Sequence, residues 1–368
     1  MRRMSCRLLG LSAQAAGKCK CQCVMSRILF IGDLNTYGRG FQRCRTLKEM
    51  GHHVVAFSHT WVSSPGCIES PSLLHRIFWK LKIPLDTTRV NKQIRDAIGK
   101  SSFDVVWIEK GNMIWPRTLR HIKRHAPAAR LISCSEDDMY ATHGHSLWYR
   151  AGLCYYDVVF STKTYNLAEL KLFGAKETKL FLDSYDEKIH KPMNVTEVER
   201  ERFSCDIGAI GAFEKERAES LLHLAEHGIQ VNVWGNGWGG MVDLHPNLAV
   251  KNEFLFGEDY SRAICATKIN LNFLRKINRD EITSRSVEIP ACGGFMLSER
   301  TPRHLEFFEE GKEAEYFGSN REMLEKVRYY LENNEERAKI ARAGRERCVA
   351  SNYSMRAQLN QMLNAVSY

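Results

Sequence analysis

The sequence predicts an α/β protein of two domains, each a mostly parallel sheet with helices on its faces. Three observations predict it. Short aliphatic runs alternate with amphipathic stretches. The alternation breaks across a charged, aliphatic-poor stretch at residues 186–204 and then resumes. The chain has 368 residues with 44% hydrophobic content, enough for two separate cores.

The first domain is assigned to residues 25–185. It opens with Arg27-Ile-Leu-Phe-Ile31, a buried-strand run, and a glycine-containing loop from Gly32 to Gly40. A helix with Phe41, Cys44, Leu47 and Lys48 at amphipathic spacing follows. Gly51 ends it, and Val54-Val-Ala-Phe57 completes a βαβ unit. Further strands are expected at Asp104–Ile108, Arg130–Ser133 and Asp157–Phe160. Residues 186–204 read as a linker or surface excursion. The second domain, residues 205–350, carries strands at Cys205–Gly208, Val231–Trp234, Ile269–Phe273 and Gly294–Leu297, and a helix with Ala218, Leu221, Leu222 and Ala225 on one face. Helices at 319–332 and 334–347 turn Met323, Leu324, Val327, Tyr330 and Leu331 inward, so their charges form a solvated face. Residues 351–368 hold a last helix, from about Met355 to Val366.

Ligands of open α/β sheets bind beyond the carboxyl ends of the strands. Those loops hold Gly211, Arg217, Asn236, Gly237, Arg275 through Arg285 and Glu288 in the second domain. In the first they hold Asn35 to Gly40, Glu109-Lys110 and Glu136-Asp137-Asp138. Arg285 and Glu288, three apart, share one helix face, where a guanidinium would fork onto phosphate oxygens and a carboxylate would accept from ribose hydroxyls. The bland rival is a surface ion pair. Backbone N–H groups at the start of that helix would assist the arginine. Gly293 and Gly294 stop the helix and permit close approach, and Pro290 predicts that it is short or kinked. Gly235-Asn-Gly237 also fits an ordinary turn. The acidic run 136–138 fits either a solvated loop or acceptor-side acids, with a carboxylate as general base. The Asp137-Asp138 spacing does not fit a metal-binding Asp-x-Asp, and His143 and His145 lack partners at zinc-like spacing, so no metal and no cofactor are expected.

Residues 284–302 resemble the C-terminal half of the group-1 glycosyltransferases, and more closely the branch of CgeB-type spore-maturation glycosyltransferases. In that branch Arg-x-x-Glu-Ile-Pro-Ala-Cys-Gly-Gly precedes Glu-Arg-Thr-Pro, here Glu299 to Pro302, and a pair of charged helices. Gly208-Ala-Ile-Gly211 with Glu216-Arg217, Val233-Trp-Gly-Asn-Gly-Trp238 and Asn270-Leu-Asn-Phe-Leu-Arg275 are similar in order and spacing, and the likeness covers roughly residues 25–350. It implies the GT-B arrangement: two Rossmann-like domains facing across a cleft, with the C-terminal helix returning to the first. It further implies transfer of a sugar from a nucleoside diphosphate sugar to a cell-envelope glycan or lipid-linked acceptor.

By this resemblance Arg217, Arg275, Lys276 and Arg285 serve the diphosphate without a metal, Glu288 the ribose, and Gly211, Asn236, Gly293 and Gly294 the donor pocket. Asp280-x7-Glu288 is similar to the superfamily's paired acids, with Asp shortening the first reach by one methylene, which places Asp280 near the donor sugar. Asp138 or Glu109 would face the acceptor. A nucleotide-sugar epimerase and a non-catalytic nucleotide-sugar-binding protein remain open beside transfer. Neither glycine loop spells Gly-x-Gly-x-x-Gly, which weighs against a nicotinamide enzyme.

The net charge is +10, and five of the excess charges lie in residues 1–24, which carry no acid. That segment reads as an extension ahead of a start at Met25, or as an Arg-rich targeting peptide. Scattered single cysteines, among them Cys134, Cys205, Cys265 and Cys292, point to a reducing, cytoplasmic setting. No run of 18 apolar residues exists to span a membrane. Leu73, Leu74, Ile77, Phe78 and Leu81 form one helical face beside Arg76, Lys80 and Lys82. It is expected to face the core, or else to rest on the inner surface of an anionic membrane. The basic segment Arg117 to Arg130 lacks interleaved aromatics, so no nucleic-acid partner is expected.

Overall fold

The computed structural model describes residues 25–62 and 72–366; the extension at 1–24 lies outside them. Six strands belong to the first half: β1 (Arg27–Gly32), β2 (His53–Ser58), β3 (Val105–Glu109), β4 (Arg130–Ser135), β5 (Val158–Ser161) and β6 (Thr178–Leu180). Six belong to the second: β7 (Cys205–Ile210), β8 (Val231–Trp234), β9 (Leu248–Val250), β10 (Thr267–Asn272), β11 (Met296–Glu299) and β12 (Glu315–Phe317). They form two parallel sheets, ordered β2-β1-β3-β4-β5-β6 and β12-β11-β10-β7-β8-β9. Helices cover both faces of each, so the central strands are aliphatic on both sides, as with Ile28 to Ile31, all fully buried. This is the expected pair of Rossmann-like domains.

The edge strands β6, β9 and β12 were not expected. Each has three residues, too few to show a period. The predicted linker also contains structure. Glu197–Phe203 is a helix, because Thr196 and Glu199 form a capping box and Phe203 buries fully. The helix at Arg285–Ala291 is short, as Pro290 predicts.

The last helix, Met355–Asn364, crosses back to the first domain, where Met355, Leu359, Met362 and Leu363 join Ile28, Phe30 and Leu47 in one core. The two crossing segments support each other: the Tyr185 N–H donates to the Tyr353 carbonyl at 3.1 Å, and the Met355 N–H to the Tyr185 carbonyl at 2.8 Å. The helix Leu73–Lys80 departs from its core-facing expectation, since none of its residues is buried.

The segment after β10 clasps the two domains. Arg279 donates to Asp138 at 2.7 Å and to Glu169 at 2.8 and 2.9 Å, and Tyr165 donates to the Asn278 carbonyl at 2.7 Å. Lys163 meets Asp280 at 2.6 Å with both side chains almost fully buried. Next to this pair, Ser284 donates to Asp183 at 3.3 Å, while the other Asp183 carboxylate oxygen is buried without a partner among the described residues. Burial pushes the Asp183 carboxyl up to about 7; Glu136 and Asp280 add to the shift, and Lys163 and Arg39 oppose it.

This shift has a definite sign. Between the ordinary aspartate range and pH 7 the folded chain holds a proton that the unfolded chain has released, so stability falls as pH rises through that window. Asp183→Asn is expected to melt with the wild type near pH 4 and above it at pH 8, by differential scanning fluorimetry. The same melting difference at both pH values would show that Asp183 stays ionised.

Candidate functional site

At the carboxyl edge of the second sheet, the loops after β7 and β8 are zipped together. The Gly211 N–H donates to the Trp234 carbonyl at 2.8 Å, Phe213 N–H to the Asn236 carbonyl at 2.9 Å, and the Trp238 indole to the Gly211 carbonyl at 2.9 Å. The approach is close enough that a Cβ at Gly235 would lie 2.1 Å from the Gly211 oxygen. A Cβ at Gly211 would lie 2.7 Å from Arg217 Nη1 and 3.5 Å from Arg285 Nη1. Gly211, Arg217 and Arg285, distant in sequence, therefore share one spot.

Arg217 is buried; its Nη1 donates to the Ala212 carbonyl and its Nη2 has no partner among the described residues. Among the described residues Arg285 makes only long bonds to neutral acceptors, Asn272 Oδ1 at 3.3 Å and the Phe273 carbonyl at 3.4 Å. Among the described residues neither arginine has a carboxylate partner. Burial, and after it the charge of Arg285, lower the Arg217 pKa to about 10. Two like charges held together in a partly dry place, one with an orphaned donor, are complementary to an anion.

The other expected diphosphate ligands are otherwise engaged. Arg275 donates to Glu214 at 2.9 Å and Lys276 to Glu299 at 2.8 Å, and both are half exposed. Asn236 is exposed at its loop tip. The N–H groups of Ser286, Val287 and Glu288 already donate to the Thr283 and Ser284 carbonyls, so the expected backbone assistance at this helix start is replaced by side-chain charge.

Glu288 forms no ion pair with Arg285 among the described residues. It accepts from Tyr260 at 2.8 Å and lies 3.6 Å from Arg39 of the first domain and 3.8 Å from His190, whose pKa burial lowers. Glu288 thus stands at the domain boundary. Asp280 is held against Lys163 across the same boundary. Gly293 and Gly294 require a correction. They end the helix opposite Arg285, with Gly293 at φ +79° and a Cβ on Gly294 only 2.6 Å from Ile264, near Thr267 and Lys268 at the amino edge of the sheet. Their role is helix termination and packing, not donor contact.

The first domain contributes a cavity of about 300 Å³, walled by Asp33, Arg39, Arg43, His59, Glu109, Lys110, Glu136 and Asp137. Arg43 bridges Glu109 at 2.7 Å and also meets Glu136, to which Arg39 donates at 3.1 Å. Burial pushes Glu136 up, but Arg39 and Arg43 outweigh it and hold the carboxyl at about 2. Glu109, which accepts from Trp107 at 2.9 Å, is raised by burial against the pull of Arg43. Burial lowers His59 to about 4, so its imidazole is neutral at pH 7. Asp138 is fully buried and is spent on Arg279, Asn166 and the Tyr140 and Ala141 N–H groups, away from the cavity wall.

Sequence reading held Arg39 only as part of the Asn35 to Gly40 loop, and it missed Arg43, His59, Lys163 and Asp183. His59 follows directly on β2 and Lys163 stands two residues after β5, so the carboxyl-end rule would have found both.

Residues 216–364 match the family model described as glycosyl transferase-like. No curated protein matches the chain. Among solved structures, the chain is similar to a sucrose-phosphate synthase from Thermosynechococcus elongatus, with a TM-score of 0.64 and 12% identity over 92% of this chain and 98% of that one. It is also similar to Anabaena HepE in complex with UDP-glucose, with a TM-score of 0.59 and 12% identity over 93% and 99%. A glycosyltransferase from Rickettsia africae gives a TM-score of 0.61 and 12% identity over 93% and 98%. The chain therefore has the GT-B fold, and its second half carries a glycosyl transferase-like segment.

Proposed function

We propose that the protein is a glycosyltransferase that takes a sugar from a nucleoside diphosphate sugar held by the second domain and passes it to a hydroxyl of a glycan bound in the first-domain cavity. The observation that carries this reading is the buried Arg217, which has an unpartnered Nη2 and no ion pair among the described residues, beside Arg285 at the carboxyl edge of the second sheet. The glycosyl transferase-like match over 216–364 and the UDP-glucose bound by HepE agree with it.

In this reading Arg217 and Arg285 bind the diphosphate, and their charge counts most as the glycosidic bond breaks and negative charge builds on the leaving group. Glu288, oriented by Tyr260, accepts from ribose hydroxyls. Asp280, aligned by Lys163, serves the donor sugar. The cavity's alternating carboxylates and guanidinium groups suit a polyhydroxyl acceptor, for which each offers directional acceptors or donors. Glu109 and the neutral His59 are the groups placed to accept the acceptor's proton. A cell-envelope glycan is the acceptor class proposed.

Two outcomes follow. A panel of nucleoside diphosphates should raise the melting point selectively, by up to about 2.7 kcal/mol of added stability at 100 times the dissociation constant; no shift with any diphosphate would remove the reading. Arg217→Ala and Arg285→Ala should each lower kcat for sugar transfer by about 10²–10³-fold while leaving the fold intact. Wild-type turnover in both, measured as nucleoside diphosphate release, would overturn the assignment.

A further inference from the structure

We propose that the outer face of the Leu73–Lys80 helix docks on an anionic lipid bilayer, and that the groove beside it receives the apolar chain of a lipid. Leu73, Leu74, Ile77 and Leu81 are 71%, 57%, 45% and 57% exposed. Their spacing places them on one stripe, and such a stripe is normally turned to a core. Here it is turned outward, on a helix whose start Ser72 caps by accepting from the His75 N–H.

Charge identifies the occupant. Residues 72–100 hold seven Lys and Arg against two Asp, a net +5. Arg76, Lys80 and Lys82 form no ion pair among the described residues, and Asp86 is engaged with the Val90 and Asn91 N–H groups. An apolar stripe bordered by cations that form no ion pair among the described residues fits the interface of an anionic bilayer, where apolar burial and electrostatic attraction add. A symmetric contact with a second copy would set this positive patch against itself.

The groove, about 520 Å³, is walled by Phe78, Ile83, Leu85, Trp115, Pro116 and Trp148. The Arg117 guanidinium lies 4.1 Å over the Trp115 ring at its rim. Trp115 follows β3 and Trp148 follows β4, on the segments that also carry Lys110, Glu136 and Asp137 to the first-domain cavity. A lipid-linked acceptor would lay its chain in the groove with its polar head toward the cavity; this placement of the head rests on the glycosyl-transfer reading, whereas the docking does not.

Co-sedimentation of the full chain with vesicles of phosphatidylcholine containing 30% phosphatidylglycerol, against phosphatidylcholine alone, tests the docking. The expected result is at least ten-fold stronger binding to the anionic vesicles, weakened by 0.5 M salt, and lost at least ten-fold in both the Leu74→Glu/Ile77→Glu and Arg76→Glu/Lys80→Glu doubles at unchanged melting temperature. Wild-type protein that stays with the supernatant, or doubles that bind as the wild type does, would overturn it. So would a dimer in sedimentation velocity that the Leu74→Glu/Ile77→Glu double splits with no loss of vesicle binding, which would assign the face to a second copy. Vesicle binding without any diphosphate-induced melting shift would overturn only the placement of the acceptor head.

Discussion

Arg217 and Arg285 are held together at the end of a parallel sheet with no ion pair to either among the described residues, and the second domain is arranged around that constraint. Removing a guanidinium from water is costly unless a counter-charge replaces the lost hydration. The loops after β7 and β8 fix the spot by bonding to one another through backbone groups, so holding the arginines together does not depend on the arginines themselves. An orphaned guanidinium donor beside a second arginine is complementary to an anion. The same constraint explains why side-chain length matters at Gly211, where a methyl group would occupy the space of Arg217.

A second layer of charge ties this site to the first domain. Arg39 reaches Glu136 in its own domain and Glu288 in the other, while Lys163–Asp280 and Arg279–Asp138 lie alongside. A buried pair such as Lys163–Asp280 adds little net stability, yet removing one partner costs about 3–5 kcal/mol because the other charge is left dry. They therefore act mainly as registers. They fix how the two sheets face each other, and with the paired crossings at Tyr185 and Ser354 they set the carboxyl edge of the second sheet against the first-domain cavity.

Much of the frame was legible in the sequence because parallel strands are buried on both faces and read as unbroken aliphatic runs, as at Ile28 to Ile31. The three-residue edges β6, β9 and β12 carry no such run. The Glu197–Phe203 helix was legible only through its Thr196–Glu199 capping box, which the surrounding charge obscured. In the site, Arg285 and Glu288 stood out by spacing, but spacing suggests a mutual pair, and their partners come from β10, Tyr260 and Arg39, remote in sequence. Asp183 carries no local signal at all; its raised pKa comes from burial between domains. Periodicity showed the apolar stripe at Leu73 to Leu81 but not its direction, because a period reports a face and not what covers it.

The most direct test of the central claim is a crystal structure with a bound nucleoside diphosphate. The account predicts diphosphate oxygens within hydrogen-bond distance of Arg217 Nη2 and of the Arg285 guanidinium, with a ribose hydroxyl on Glu288. A nucleotide seated elsewhere, with Arg217 Nη2 still unpartnered, would contradict it.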